Sequence, residues 1–271
     1  MLLTILLTAV LAGFLLGTLG FYVQRMGLIT LSFSVAHSAL AGASIGLVIG
    51  IDPTYGAFFL SLISSLILGL LSTRVNQGRE LMSMVLFSAS SSIALLSIYL
   101  SNVRVLATSE VASVLWGSLL AASPEKLMGM AFILLILSSY TSAYRLELSS
   151  IMFDRRLAEA EGVNVSLHTT LVLTLCGLAI ALALKITGGF LVFSLLYNPV
   201  TASIFLLRSN RYQPMVSAAI AAASSLSGLW ASYAFDLPVG ASISLLSALL
   251  AVISKLVSWI RDKLVEHSLE L

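Results

Sequence analysis

The chain has 271 residues, of which 59% are hydrophobic and 10% are charged, and its mean hydropathy is +1.05. Soluble domains are about 25% charged on average, so this composition excludes a water-soluble enzyme, and its apolar content excludes a disordered chain. A single cysteine excludes a disulfide scaffold, and a net charge of +2 leaves no basic surface for nucleic acid. The composition therefore predicts a polytopic membrane protein.

Nine stretches of the chain lack Asp, Glu, Lys and Arg and are long enough to cross a bilayer, since a helix of roughly 17–25 residues spans about 30 Å of hydrocarbon. They predict an all-α polytopic protein with about nine transmembrane helices, eight being the alternative count. Because almost nothing is left for a soluble domain, 1–271 forms a single transmembrane domain. The stretches are 1–24, 26–51, 53–73, 81–103, 127–144, 162–184, 186–207, 212–235 and 237–254.

The basic residues predict how these helices are oriented. With nine spans and an external N-terminus, eleven basic residues fall in cytoplasmic segments and three fall outside. Cytoplasmic loops are enriched in Lys and Arg, so we predict that the N-terminus is outside and the C-terminus is cytoplasmic. The predicted cytoplasmic residues are Arg25, Arg74, Arg79, Arg145, Arg155, Arg156, Arg208, Arg211, Lys255, Arg261 and Lys263.

The second predicted span contains a histidine, His37, at membrane depth. Burying an ionisable group in a bilayer costs free energy, so such a residue is a candidate functional site. As a neutral imidazole, His37 could ligate a transition metal in passage. The alternative is a structural hydrogen bond between helices, and the sequence leaves both open.

Residues 42–46 (GASIG) match the pattern G-x-S-x-G, with His37 two turns earlier. This pattern favours an intramembrane serine hydrolase with Ser44 as nucleophile, but a nucleophile elbow needs a strand–turn–helix context. Here the motif lies inside a predicted helix, so the hydrolase is a remote alternative. Glycines spaced by four, such as Gly42 and Gly46, also favour close helix packing in lipid.

Two later segments do not have the pattern of a simple membrane-spanning helix. Residues 111–123 are apolar but too short to cross, which favours a short re-entrant or interfacial helix on the outer side, with Pro124 beginning the next element. Residues 145–168 form the longest cytoplasmic loop. Within it we predict a short capped helix over about 154–161, begun by Asp154 and ended at Gly162.

Taken together, five segments in a fixed order resemble the permease subunits of ABC importers for zinc, manganese, iron and related divalent metals. They are 35–42 (VAHSALAG), 101–127 (SNVRVLATSEVASVLWGSLLAASPEKL), 153–163 (FDRRLAEAEGV), 187–202 (TGGFLVFSLLYNPVTA) and 236–245 (DLPVGASISL).

The resemblance implies a multi-pass permease of the plasma or inner membrane that is not itself an enzyme. It implies two copies of a cytoplasmic ABC ATPase subunit, a second permease copy in a homodimer, and an external metal-binding protein. No cofactor binds directly to the permease, because ATP is used by the partner subunit. The sequence agrees in lacking a P-loop motif.

For individual residues, we predict a substrate path at the dimer interface and a surface that couples to the ATPase motor. The path includes His37, as a transient metal ligand, together with Ser44 and Asn198. The 154–161 helix resembles the coupling helix of the family, which implies a coupling surface made of Asp154, Arg155, Arg156, Glu159, Glu161 and Gly162.

The chain departs from the family one turn before His37, where Phe33 stands in place of the usual acidic residue. This change removes a hard oxygen ligand for a metal ion. It motivates an alternative in which the same permease fold carries a metal chelate or another small nutrient.

Overall fold

The computed structural model describes residues 2–71, 76–105, 108–118, 121–189 and 192–269, so that Arg74 lies outside the described residues. Regular structure in these ranges is entirely helical. The helices are α1 (Leu2–Arg25), α2 (Ile29–Ile49), α3 (Pro53–Leu71), α4 (Asn76–Leu100), α5 (Thr108–Trp116), α6 (Pro124–Ala143), α7 (Arg145–Phe153), α8 (Arg155–Ala160), α9 (Val165–Thr187), α10 (Val192–Leu206), α11 (Gln213–Phe235) and α12 (Val239–Leu269), and a π-helical turn, Ser101–Val105, follows α4.

Eight helices in the described ranges are long and apolar enough to cross a membrane: α1, α2, α3, α4, α6, α9, α11 and α12. The remaining predicted span, 186–207, is interrupted by a turn at Gly188 (φ +87°), so that α10 has only 15 residues. At about 1.5 Å per residue, α10 is roughly 22 Å long, less than the hydrocarbon thickness. The predicted all-α polytopic fold is confirmed, with eight long helices and the shorter α10.

The two ends of the helical bundle are named here by the short helices that lie there. At the α5 end, the start of α12 lies on the end of α5, where Gly240 faces the Trp116 carbonyl. At the α8 end, α10 and α12 are joined by an ion pair of 3.1 Å between Arg208 and Asp262. The positive-inside pattern predicts that the α8 end faces the cytoplasm.

The centre of the bundle is α2, which packs against α3, α4 and α9 and is buried along most of its length. The outer helices instead expose large apolar side chains; for example, Phe59, Leu96 and Phe132 are each more than 60% exposed. Soluble monomers rarely expose contiguous apolar surface of this kind. The arrangement is that of a multi-pass membrane protein.

Close helix contacts depend on glycine at particular positions. A Cβ on Gly42 of α2 would lie 2.0 Å from the carbonyl oxygen of Gly56 on α3, and the same contact holds in reverse. A Cβ on Gly13 of α1 would lie 2.6 Å from the carbonyl oxygen of Ala221 on α11. Small residues let helix backbones approach in this way when lipid supplies no hydrophobic drive.

The short helix predicted near 111–123 is present, but it begins earlier and ends earlier, as α5 over Thr108–Trp116. It ends at Gly117, whose φ is +82° and where a Cβ would meet the Ile186 carbonyl at 2.4 Å. The next helix, α6, begins as predicted at Pro124, with the Ser123 side chain as its N-cap.

The predicted loop 145–168 is more ordered than the sequence suggested. Its first part forms α7, its middle forms α8, and α9 already begins at Val165. Residues 165–168 therefore belong to a spanning helix, because Asn164 caps α9 by accepting a hydrogen bond from the Leu167 amide at 3.0 Å.

Candidate functional site

His37 lies in the middle of α2 and is 6% exposed. Its Nδ1 lies 3.1 Å from the carbonyl oxygen of Phe33, one turn earlier. Because a carbonyl can only accept, Nδ1 must carry the proton, and Nε2 is then the nitrogen with a free lone pair. A histidine held in this tautomer by a backbone carbonyl is oriented to ligate a metal through Nε2.

Three aromatic side chains contact the His37 imidazole and a fourth, Tyr197, packs on one of them; we call the four the aromatic cluster: Phe33, Phe87, Phe193 and Tyr197. The Phe33 and Phe193 rings stack on the imidazole, with centroids 5.7 and 5.8 Å away, and Phe87 meets it edge-on at 4.4 Å. Tyr197 stacks on the Phe33 ring at 5.9 Å. The immediate surroundings of His37 are therefore apolar faces contributed by α2, α4 and α10.

The serines near His37 are engaged in holding α2 to α4. The Ser34 and Ser83 hydroxyls lie 2.8 Å apart, and the Ser38 and Ser90 hydroxyls lie 2.9 Å apart. Ser83 also donates to the carbonyl of Thr30 at 2.9 Å. These buried hydroxyls have partners within the protein, so they join two helices and are not free to coordinate an ion.

Among the described residues, no group of three or more His, Cys, Asp and Glu side chains could hold a metal ion. His37 therefore offers a single nitrogen donor, and its neighbouring side chains are aromatic. Such a position suits passage of a cargo better than its permanent storage, because structural zinc sites use four ligands.

Ser44, predicted to line the path, is fully buried and donates its hydroxyl to the carbonyl of Leu40 at 2.8 Å. Because the Ser44 proton is donated to Leu40, no base among the described residues is shown accepting it from this serine. The flanking Gly42 packs against α3, and α2 is an unbroken helix. This geometry gives the serine hydrolase no support.

Asn198 lies on α10 next to Tyr197, but its side chain points away from the aromatic cluster. Its amide donates to the Ser247 hydroxyl on α12 at 2.9 Å. The structure thus brings Phe33, Phe87 and Phe193 to His37, whereas Ser44 bonds within α2 and Asn198 bonds to α12.

The residues predicted to form the coupling surface lie together on α8 and its caps. Asp154 is the N-cap, as predicted, and its Oδ1 accepts hydrogen bonds from the amides of Arg156 and Leu157 at 2.7 and 3.0 Å. These bonds hold the pKa of Asp154 below its usual value. Arg155 and Glu159 form an ion pair of 3.3 Å along the helix.

The end of α8 is a Schellman motif. Gly162 has φ +88°, its amide donates to the Glu159 carbonyl, and the Val163 amide donates to the Ala158 carbonyl at 3.0 Å. Ala158 is fully buried, whereas Arg156, Glu159 and Glu161 are exposed. The sequence therefore builds a short rigid helix that presents charged side chains at the α8 end.

A cavity of about 720 Å³ opens at the α5 end, lined by charged and hydroxyl side chains that include Asp52, Glu110, Glu125 and Lys185. Lys185 and Asp52 form an ion pair of 3.1 Å across its wall. Burial acts to raise the pKa of Asp52, but hydrogen bonds from Thr54 and the pairing with Lys185 outweigh it and hold this pKa at about 2. The carboxylate is thus charged at neutral pH and ties the α2–α3 turn to α9.

Sequence reasoning found His37 and Phe33 but missed Phe87, Phe193 and Tyr197. The spacing of Phe193 and Tyr197, four residues apart, was the available signal, since it places both on one face of a helix. Nothing in the sequence indicated that this face meets α2.

The chain is similar to known proteins over most of its length. The profile of the ABC 3 transport family matches residues 1–258. The manganese import system permease protein ScaB of Streptococcus gordonii is 24% identical over 252 residues, covering 92% of this chain and 88% of that protein. A probable iron transport system membrane protein of Haemophilus influenzae is 27% identical over 256 residues, covering 94% and 93%.

Among solved structures, PsaBC from Streptococcus pneumoniae in complex with a Fab has a similar fold. The TM-score is 0.79 at 23% identity, and the match covers 93% of this chain and 90% of that one.

Proposed function

The chain belongs to the ABC 3 transport family, and we propose that it is the permease subunit of an ATP-driven importer that passes a divalent transition metal into the cell. The permease is not itself catalytic. An external binding protein delivers the metal at the α5 end, and a cytoplasmic ATPase, in two copies, acts at the α8 end. A second copy of this chain completes the path as a homodimer.

The metal class is supported by the relatives, whose names refer to manganese import and iron transport. It is also supported by the tautomer of His37, which leaves Nε2 free to ligate a passing transition metal. Ser44 would act on the path through the backbone of α2, to which it bonds, and Asn198 through its contact with α12.

The observation that carries the proposal is α8. It has an N-cap, a C-terminal Schellman motif, a buried alanine on one face and exposed charges on the other. A two-turn helix is only marginally stable on its own. The caps at both ends of α8 therefore indicate that the protein holds this surface in a fixed position. An ATPase subunit that closes when it binds ATP would transmit this movement to the transmembrane helices through such a rigid contact.

The test is the coupling of ATP hydrolysis to α8. In the purified complex, Arg156→Ala with Glu161→Ala removes one charge of each sign from the exposed face. The matched control, Arg208→Ala with Asp262→Ala, removes an ion pair at the same end. We expect metal-stimulated hydrolysis to fall at least about tenfold in the first variant only, and equal rates in both would contradict the coupling role.

A second candidate cargo, a metal chelate, is favoured by the aromatic cluster. A bare dication prefers oxygen and nitrogen ligands, whereas His37 supplies one nitrogen in contact with three aromatic rings. An organic ligand wrapped around the metal would present apolar surface to those rings. Uptake of a chelate that survives His37→Ala, together with no uptake of free ions, would favour this candidate.

A further inference from the structure

A second cavity, of about 480 Å³, lies at the α8 end and plays no part in the proposed path. It is enclosed by the last turns of α1 and α6, by α7, and by the turn that leads into α11. Its lining residues are Phe21, Tyr22, Thr141, Ser142, Arg145, Leu148, Ser149, Met152, Asn210, Arg211 and Pro214.

The cavity is positively charged. Arg145 and Arg211 line it, and no acidic side chain does. Neither guanidinium belongs to any of the ion pairs found among the described residues. The nearest acid along the chain, Glu147, does not line the cavity. Two guanidiniums without a carboxylate partner favour an anionic occupant, and guanidinium groups match phosphate oxygens well.

The cavity lies at the depth of lipid headgroups. It is bounded by Tyr22 three residues before the end of α1, by Ser142 one residue before the end of α6, and by Pro214 at the start of α11. These three spanning helices all end at this level. An anion that enters here would have its charge at the edge of the hydrocarbon layer.

Apolar side chains lie both in the cavity and close to it in the chain. Phe21, Leu148 and Met152 line the cavity. Leu146, which follows Arg145, is 80% exposed, and Met215, which follows Pro214, is 70% exposed. Inorganic phosphate would use only the two arginines and the polar groups, whereas a phospholipid would also place its acyl chains on exposed apolar side chains.

We propose that this cavity binds the phosphate headgroup of an anionic phospholipid, with Arg145 and Arg211 holding the phosphate and the acyl chains lying along Leu146 and Met215. Basic pockets between transmembrane helices on the cytoplasmic side bind anionic headgroups in this manner. Because Arg145 begins α7, which leads directly into α8, a bound lipid would fix the segment that carries the coupling surface.

The proposal is tested by lipid binding to the full-length chain purified with its ATPase in detergent. Native mass spectrometry counts bound molecules during titration with phosphatidylglycerol, phosphatidylcholine or inorganic phosphate. The variant Arg145→Gln with Arg211→Gln removes both guanidiniums. Its matched control, Arg208→Gln with Lys263→Gln, removes two positive charges at the same end outside the cavity.

We expect the double variant to bind phosphatidylglycerol roughly thirtyfold more weakly, since each arginine near an anionic headgroup contributes about fivefold. Phosphatidylcholine binding should not change, and the control should match the wild type. If the double variant does not form an intact complex, Ser142→Trp fills the cavity, keeps both arginines, and should abolish the same binding.

Three results would overturn the assignment. Equal weakening in the variant and its control would mean that binding reflects overall charge. Displacement of phosphatidylglycerol by millimolar inorganic phosphate would assign the cavity to a free anion. Absence of bound phosphatidylglycerol in the wild-type complex would mean that another group, such as a carboxylate of the ATPase, fills the cavity.

Discussion

The rings of Phe33 and His37 lie one turn apart on α2, with centroids 5.7 Å apart and planes 18° from parallel. The Phe33 carbonyl also accepts the hydrogen bond from His37 Nδ1 at 3.1 Å. One residue therefore fixes the tautomer of the histidine and covers its face. This pairing of Phe33 with His37 limits which kinds of cargo can bind to Nε2.

Replacing Phe33 by aspartate should change which cargo is accepted. A carboxylate at this position, one helical turn before His37, would add a hard oxygen ligand near the imidazole. We expect the concentration of free Mn²⁺ that half-stimulates ATP hydrolysis to fall at least about tenfold, as for a supporting ligand. Phe33→Leu, which opens the cluster without adding a ligand, is the control and should not show this gain.

The contact between α2 and α3 should not tolerate a single added methyl. In Gly42→Ala the new Cβ would meet the Gly56 carbonyl oxygen at 2.0 Å, and backbone atoms cannot rotate away. We expect a loss of about 1–3 kcal/mol in the free energy of unfolding, measured by denaturation in detergent.

The matched control for that change is Gly129→Ala. There the nearest atom is the end of the flexible Leu182 side chain at 3.1 Å, and alanine favours helix over glycine by up to about 1 kcal/mol. Stability should be unchanged or slightly higher. A similar loss in both variants would contradict the assignment of Gly42 to a helix contact.

The hydroxyl pair of Ser34 and Ser83 should contribute little stability despite its burial. Hydrogen bonds between transmembrane helices average about 0.6 kcal/mol in double-mutant cycles. A cycle of Ser34→Ala, Ser83→Ala and the double variant should therefore give a coupling energy of roughly 0.5–1.5 kcal/mol. A coupling energy near zero would show that the serines do not bind each other.

The ion pair between Asp52 and Lys185 should be insensitive to pH near neutrality. Because the pKa of Asp52 is lowered from 3.8 to about 2, its stabilisation is present above pH 4 and is lost as pH falls toward 2. Asp52 is 47% exposed, so Asp52→Asn should cost only about 0.5–1 kcal/mol at pH 7.

This prediction is checked by unfolding wild type and Asp52→Asn at pH 7, 5 and 3. The difference between them should be equal at pH 7 and 5 and smaller at pH 3. Asp236→Asn, at a carboxylate outside the described ion pairs, is the control. A difference that grows as the pH falls would contradict the assignment.

Features that depend on local sequence were predictable. Charge spacing located the long helices, because hydrocarbon excludes charged side chains over a fixed length. Asp154 and Gly162 located α8, since caps act within a single turn. The orientation of the chain across the membrane stays a prediction.

Features that depend on contacts between distant segments were not predictable. The length of α10 follows from a turn at Gly188, where a Cβ would lie 2.6 Å from the Leu115 carbonyl. The surroundings of His37 depend on α4 and α10 meeting α2, which periodicity does not specify. Asn198, a predicted path residue, donates to Ser247 on α12, and a contact between such distant segments cannot be read from the sequence.

The most direct test of the account is ATP hydrolysis by this permease reconstituted with its ATPase and external binding protein. Free Zn²⁺, Mn²⁺ and Fe²⁺ and their chelates would each be titrated, in wild type and in His37→Ala. We predict stimulation by one metal species, with the stimulation lost in His37→Ala and the basal rate unchanged. An intact basal rate that no free or chelated metal stimulates would contradict the assignment of a metal cargo.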